Sequence, residues 1–146
     1  MASRGTFVRA VAVRIVLDTN VLLVSIGRKS RYNWLFQALL DERFILLIST
    51  DILLEYEEII TRRTRQEIAS NVVKTILSLP NVEHIEPYFR WNLITDDPTD
   101  NKFVDCAFAG RAEYLVTEDS HFKVLHGLDF PSIGIRSIQE FADLLQ

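Results

Sequence analysis

Ile15-Val16-Leu17-Asp18-Thr19-Asn20-Val21-Leu22 is the stretch of the chain that decides the fold. Its first part, together with Arg14, predicts a short strand, because a continuous apolar run is typical of a strand buried on both faces of a parallel sheet. Asp18 follows that strand directly. Ligand sites of open α/β sheets lie beyond the carboxyl ends of the strands, so Asp18 stands where a functional site is expected.

The rest of the chain repeats this pattern of apolar runs separated by segments with helical spacing. The predicted strands are Arg14–Leu17, Phe44–Ile48, Val82–Ile85, Tyr114–Thr117 and Ile133–Ile135. The predicted helices are Tyr32–Leu40, Asp51–Ile60, Glu67–Leu79, Phe103–Ala112 and Ile138–Leu145. Strands that alternate with helices predict right-handed crossovers and a parallel sheet covered on both faces. The sequence therefore predicts a three-layer α/β sandwich.

The composition is that of one globular domain. Of the 146 residues, 48% are hydrophobic and 25% are charged, with 16 basic and 20 acidic side chains giving a net charge of −4. The single cysteine excludes an internal disulfide, and there is no cysteine cluster for zinc. No apolar run approaches the roughly 20 residues of a membrane span. We expect a cytoplasmic protein without a membrane role, divided into an N-terminal extension, 1–13, and one domain, 14–146.

Carboxylates follow two predicted strands that are candidates for neighbours in the sheet. Asp18 ends the first strand and Asp119 comes just after the fourth, while Asp100 and Glu55 lie on or near predicted helices. Carboxylates gathered at one edge repel one another, and a divalent cation relieves that repulsion. Hard oxygen ligands favour magnesium, manganese or calcium over zinc. Together the acids predict a metal centre suited to phosphate chemistry.

Taken singly, each acid also has an ordinary structural explanation. An aspartate after a strand commonly caps a helix, and Asp100 could cap the helix beginning near Asn101. Asp105 lies about one and a half helical turns beyond Asp100, so the two need not share a face. Glu55 has acidic neighbours and could be a surface residue. Only the combination of acids at the strand ends favours a functional site.

These motifs, in their order along the chain, resemble the PIN-domain family. The matching segments are Ile15 to Leu22, Ser49 to Glu55, Asp97 to Phe103 and Leu115 to Asp119. The resemblance is strongest to the toxins of toxin–antitoxin systems related to VapC-like ribonucleases. It implies a Rossmann-like α/β/α sandwich with a central parallel sheet. It also implies a ribonuclease dependent on Mg²⁺ or Mn²⁺, whose water nucleophile leaves a 5′-phosphate and a 3′-hydroxyl.

The resemblance also implies roles for individual residues. The catalytic acids are Asp18, Glu55, Asp100 and Asp119, of which Asp18, Asp100 and Asp119 hold the metal. Additional candidates are Asp105, where relatives often carry another acid, Asn20, which would orient Asp18, and Thr117, a hydroxyl partner at the last strand end. From the sequence itself, His121 is close to Asp119 and could contact a phosphate, although a surface histidine is the preferred interpretation. Cys106 is interpreted as a core residue.

Glu118 departs from the pattern of this branch, which often has a glycine there. A further carboxylate beside the metal would add charge and bulk, unless it points into solvent. The departure supports an alternative function, a catalytically weak PIN module acting as a nucleic-acid- or protein-binding scaffold. Metal-dependent RNA cleavage that is abolished by Asp18→Asn would distinguish the enzyme from the scaffold.

Two basic clusters are candidates for binding RNA. Their residues are Arg28, Lys29 and Arg31 in the first cluster and Arg62 and Arg63 in the second. Such clusters can follow a phosphate backbone even in an acidic protein, although charge on a solvated loop explains them equally well. By resemblance, the expected partners are an RNA substrate, an antitoxin protein and a second copy of the chain in a homodimer.

Overall fold

A computed structural model describes residues 12–94, 97–127 and 133–146. Its centre is a parallel sheet of five strands in the order β3-β2-β1-β4-β5. The strands are β1 (Arg14–Leu17), β2 (Ile45–Ile48), β3 (Val82–His84), β4 (Tyr114–Val116) and β5 (Gly134–Arg136). The predicted α/β fold with a central parallel sheet is thereby confirmed. Most of the predicted N-terminal extension, up to residue 11, lies outside the described residues.

Six α-helices cover the sheet in the described part of the chain. They are α1 (Thr19–Ser25), α2 (Asn33–Leu40), α3 (Thr50–Arg63), α4 (Gln66–Ser78), α5 (Asn101–Ala109) and α6 (Ile138–Leu145). Short 3₁₀ segments cover Pro98–Asp100 and Ser120–Gly127. The sequence analysis did not predict α1, whose seven residues are too few to show a helical period. No helix among the described residues is long and apolar enough to cross a membrane.

The pairing of β1 with β4 positions the candidate site. In the parallel register, Leu17 of β1 lies opposite Val116 of β4. The backbone N–H of Asp18 continues this pairing by donating to the carbonyl of Val116 at 3.1 Å. The order of the strands reverses between β1 and β4, the place where such sheets form ligand sites. Asp18 and the loop after β4 therefore share one edge, as the sequence predicted.

The end of α5 packs closely against the sheet and is tied to β1. The guanidinium of Arg14 binds the carboxylate of Glu83 on β3 at 2.8 and 2.9 Å and also donates to the carbonyl of Gly110. A Cβ atom at Gly110 would lie 2.7 Å from Leu47 Cδ1, so this position has no room for a side chain. This contact fixes the carboxyl end of the helix whose other end carries Asp100.

Candidate metal centre

Thr117 joins the two strand ends that carry Asp18 and Asp119. Its hydroxyl donates to Asp18 Oδ2 at 2.8 Å and accepts a hydrogen bond from the backbone N–H of Asp119 at 2.9 Å. Asp18 is buried, with 6% of its surface exposed. The structure therefore places Thr117 at the centre of the last strand end, where it orients the carboxylate of Asp18 and the loop that carries Asp119.

Asp100 contributes its carboxylate to the candidate site from the beginning of α5. Although it occupies the N-cap position, its side chain makes no capping hydrogen bond. The neighbouring Asp97 performs the turn-forming role instead, because it accepts from the N–H and the hydroxyl of Thr99. Asp100 is 8% exposed, and its Oδ2 atom is buried without a hydrogen-bond partner among the described residues. The structure does not support helix capping as the role of this side chain.

The charges of these acids interact. The pKa of Asp18 is raised to about 6, mainly by burial and to a smaller extent by the nearby Asp119 and Glu55 carboxylates, while the hydrogen bond from Thr117 partly opposes the shift. Burial likewise raises the pKa of Asp100 to about 6, with contributions from Asp97, Asp18 and Asp119, while the nearby His121 partly opposes the shift. Crowded and desolvated carboxylates, one with an unpaired oxygen, are the donor set that a hard divalent cation fits.

His121 lies against these acids, with 38% of its side chain still exposed to solvent. Its Nδ1 atom is 3.3 Å from Asp119 Oδ1 and 3.5 Å from Asp100 Oδ2. The backbone N–H of His121 donates to Asp119 Oδ1 at 2.8 Å, which turns the chain back towards the site. The spacing Asp119-Ser120-His121, typical of such an aspartate turn, is the sequence signal that could have indicated this placement.

Glu55 joins the site from the middle of α3, with both of its oxygens engaged. The hydroxyl of Thr19 donates to Oε2 at 2.5 Å, and the ammonium of Lys102 binds Oε1. The side chains of Glu55 and Lys102 are 20% and 22% exposed. Lys102 was not among the predicted site residues. Its position two residues after Asp100, in the first turn of α5, brings its ammonium to Glu55.

Lys102→Met is expected to lower the free energy of unfolding by about 1–2 kcal/mol, because it leaves the largely buried carboxylate of Glu55 without its cation. Lys102→Arg keeps the charge and is expected to recover most of this loss. Urea denaturation of the metal-free proteins measures both effects. Lys74→Met, at an exposed position on α4, is the matched control and should unfold like the wild type. A Lys102→Met variant as stable as that control would contradict the expectation.

Two additional candidates are not brought into the acid cluster by any described contact. Asn20 is exposed, and no hydrogen bond joins its side chain to Asp18 in the described part of the chain. Asp105 is buried on α5, where its Oδ1 accepts a hydrogen bond from the backbone N–H of Trp91 at 3.0 Å. Burial raises the pKa of Asp105, which the bond from Trp91 partly opposes. The core assignment of Cys106 is confirmed by its complete burial.

Glu118 has a structural role at the beginning of α6. Its Oε2 accepts a hydrogen bond from the backbone N–H of Ile138 at 2.7 Å. The carboxylate therefore satisfies an N–H group that the first turn of a helix leaves free. The carboxylate that was expected to add charge beside the metal therefore binds the start of α6 instead.

The two basic clusters are exposed, and no described contact connects them to the acids. In the first cluster, the guanidinium of Arg31 lies over the ring of Tyr32, 4.8 Å from its centroid. In the second, Arg62 pairs with Glu58 at 2.8 Å. The exposed members Arg28, Lys29 and Arg63 are accessible to a ligand from solvent.

The architecture resembles three solved structures. VapBC2 from Rickettsia felis, bound to a DNA fragment from its promoter, matches with 20% identity and a TM-score of 0.58 over 85% of this chain and 98% of that chain. DNA-bound VapBC from Salmonella typhimurium matches with 19% identity and a TM-score of 0.57, over 86% and 98%. The PIN domain endonuclease Utp24 matches with 18% identity and a TM-score of 0.52, over 85% and 84%. At these identities the likeness concerns the fold.

The sequence itself carries the family assignment. No curated protein matches it. The family model described as PIN domain matches residues 14–121, a span that runs from β1 through the acids of the candidate metal centre to His121. With most of the chain matched in this way, the protein belongs to the PIN domain family.

Proposed function

We propose that this PIN domain is a metal-dependent endoribonuclease and the toxin component of a toxin–antitoxin system. The observation that carries the proposal is the buried Oδ2 atom of Asp100, which has no hydrogen-bond partner among the described residues and lies near the Asp18 and Asp119 carboxylates. Buried polar atoms in native proteins nearly always have a partner, so an orphaned carboxylate oxygen in an acidic cluster favours a bound cation. Acid-bound divalent cations are typical of phosphodiester hydrolysis.

In this proposal Asp18, Asp100 and Asp119 hold Mg²⁺ or Mn²⁺, which when bound lowers the pKa of water and offsets charge on the phosphoryl group. Thr117 keeps Asp18 in position through its hydrogen bond. Glu55, fixed by Thr19 and Lys102, adds negative charge beside the other acids. A water molecule would attack the phosphorus in line with the leaving oxygen, and the products would carry a 5′-phosphate and a 3′-hydroxyl.

The partners follow from the same proposal. The exposed basic residues Arg28, Lys29, Arg31, Arg62 and Arg63 bind the phosphates of an RNA substrate. The likeness to VapBC complexes supports an antitoxin partner. A homodimer is proposed from the family resemblance alone. We also propose that residues 14–146 form one domain preceded by an extension, 1–13, and that the protein acts in the cytoplasm.

The scaffold alternative rested on Glu118. The carboxylate of Glu118 accepts a hydrogen bond from the backbone of Ile138. The residue that favoured a weakened metal site therefore has a structural role at α6 instead. Lys102, which neutralises Glu55, and Thr117, which orients Asp18, are contacts of the kind that hold catalytic acids in place. These contacts support the enzyme over the scaffold.

The proposal is tested by titrating Mn²⁺ into the calcium-free protein in a calorimeter and then measuring RNA cleavage with the same samples. We expect the wild type to bind the ion and cleave RNA, and Asp18→Asn to lose both properties, because an amide does not supply the charge of the carboxylate. Asp41→Asn, an exposed position after α2, is the matched control and should behave as the wild type. A wild-type protein that binds RNA but never cleaves it with Mg²⁺ or Mn²⁺ would favour the scaffold.

A further inference from the structure

The Nδ1 atom of His121 is a nitrogen donor that lies beside the carboxylates of Asp100 and Asp119. One ligand atom from each of Asp97, Asp100 and His121 can be chosen so that all three lie within 4.8 Å of one another. Ligands bound at about 2.1 Å in octahedral geometry are about 3 Å apart when adjacent and about 4.2 Å apart when opposite. The spacing of these three atoms is therefore close to that of ligands sharing one ion.

Two of these atoms lack a hydrogen-bond partner within the described part of the chain. Asp100 Oδ2 and His121 Nδ1 are both buried, and neither makes a hydrogen bond to any of the described residues, although they are 3.5 Å apart. Asp100 as a whole is more than nine-tenths buried. Since an unpaired buried polar atom is costly, two such atoms facing each other indicate a position that a ligand completes.

A simple ion pair explains this arrangement less well. The contacts of His121 Nδ1 with the two carboxylates are long, at 3.5 Å to Asp100 Oδ2 and 3.3 Å to Asp119 Oδ1. The Oδ1 atom of Asp119, at 3.3 Å, already accepts the backbone N–H of His121. The ring is thus held beside the acids by the backbone, with its nitrogen left available.

We propose that His121 Nδ1 is a ligand of the divalent ion held by Asp100, with Asp97 as a further ligand, and that this nitrogen makes the centre selective for Mn²⁺ over Mg²⁺. The inference rests on the proposed function only in requiring that a divalent ion binds at these acids. Mg²⁺ prefers oxygen ligands and retains several waters, whereas imidazole nitrogen suits transition metals. Mn²⁺ is the transition-metal ion of this series that also suits carboxylates, so a mixed set favours it.

The direct test is electron spin-echo envelope modulation of the full chain loaded with Mn²⁺. A coordinated imidazole is expected to give ¹⁴N modulation, which should change to the ¹⁵N pattern when the protein is labelled with ¹⁵N-histidine. His121→Ala should abolish the modulation. His84→Ala is the matched control, because His84 is a half-exposed histidine that contacts Thr50 and Glu86 instead, and it should keep the wild-type signal.

Calorimetry supplies the second measurement. We expect His121→Ala to raise the Kd for Mn²⁺ by about tenfold or more, and the Kd for Mg²⁺ by less than about threefold. Mn²⁺ that binds the wild type without histidine modulation would overturn the role of His121 and leave the proposed metal centre intact. A wild type that binds no Mn²⁺ would overturn the metal centre and this inference together. The wild-type spectrum needs no variant, so a folding defect in His121→Ala could not hide either result.

Discussion

The metal-free protein is expected to be about 2 kcal/mol more stable at pH 5 than at pH 8. The pKa values of Asp18 and Asp100 rise to about 6 from an ordinary 3.8 on folding. Between those values the folded state binds more protons than the unfolded state. The stabilisation contributed by these two groups is therefore complete below about pH 4 and is lost as the pH rises through about 6. The partial solvent access of Asp100 keeps the total below the full value of both shifts.

Urea denaturation in the presence of a chelator at the two pH values measures this difference. Asp18→Asn removes one of the two titrating groups, so we expect the variant to be more stable than the wild type at pH 8 and less dependent on pH. Asp41→Asn should retain the wild-type dependence, since Asp41 is exposed. A wild type that becomes more stable between pH 5 and 8, with Asp18→Asn parallel to it, would show that these carboxylates are not desolvated.

The second large effect is expected for Asp100→Asn, which should reduce metal-dependent RNA cleavage by at least about a hundredfold. The substitution keeps the shape of the side chain but removes the charge of a carboxylate whose buried oxygen accepts no hydrogen bond from the described residues. Initial rates on a labelled RNA at saturating Mn²⁺ measure the loss, with circular dichroism as a check on folding.

Two controls sharpen this experiment. Asp51→Asn changes an exposed aspartate in the first turn of α3 and should leave cleavage unchanged. Glu118→Gln should also retain most of the activity, because the amide oxygen can still accept from Ile138 at the start of α6. Activity of Asp100→Asn within about threefold of the wild type would contradict a role of this carboxylate in holding the ion.

The fold was predictable because the strands and the helices of this sequence differ in the spacing of their apolar residues. The largely buried strands β1, β2 and β4 are mainly apolar runs, and the α6 boundaries, Ile138–Leu145, agree with the prediction. Other boundaries moved by up to three residues, as for α5, which begins at Asn101 and ends at Ala109. Its predicted extension to Ala112 fails because Arg111 has a positive φ of 58°, which no helix accommodates.

The candidate site was predictable only as far as strand order determines it. Asp18 and Asp119 had to converge once their strands became neighbours. The partners of the side chains depend instead on long-range packing that no local pattern contains. The pairing of Lys102 with Glu55 spans 47 positions, and that of Glu118 with Ile138 spans 20. Sequence periodicity has no means of indicating such contacts.

The three consecutive residues after β4 each send their side chains to a different part of the molecule. Thr117 reaches Asp18, Glu118 reaches α6, and Asp119 approaches His121. Because neighbouring side chains of an extended chain point to opposite sides, this division of roles depends on position in the segment after β4 and not only on residue type. A single-residue insertion before Glu118 is expected to turn its carboxylate towards the site and the Asp119 carboxylate away from it. The length of this segment is therefore under a stricter constraint than the identity of residue 118.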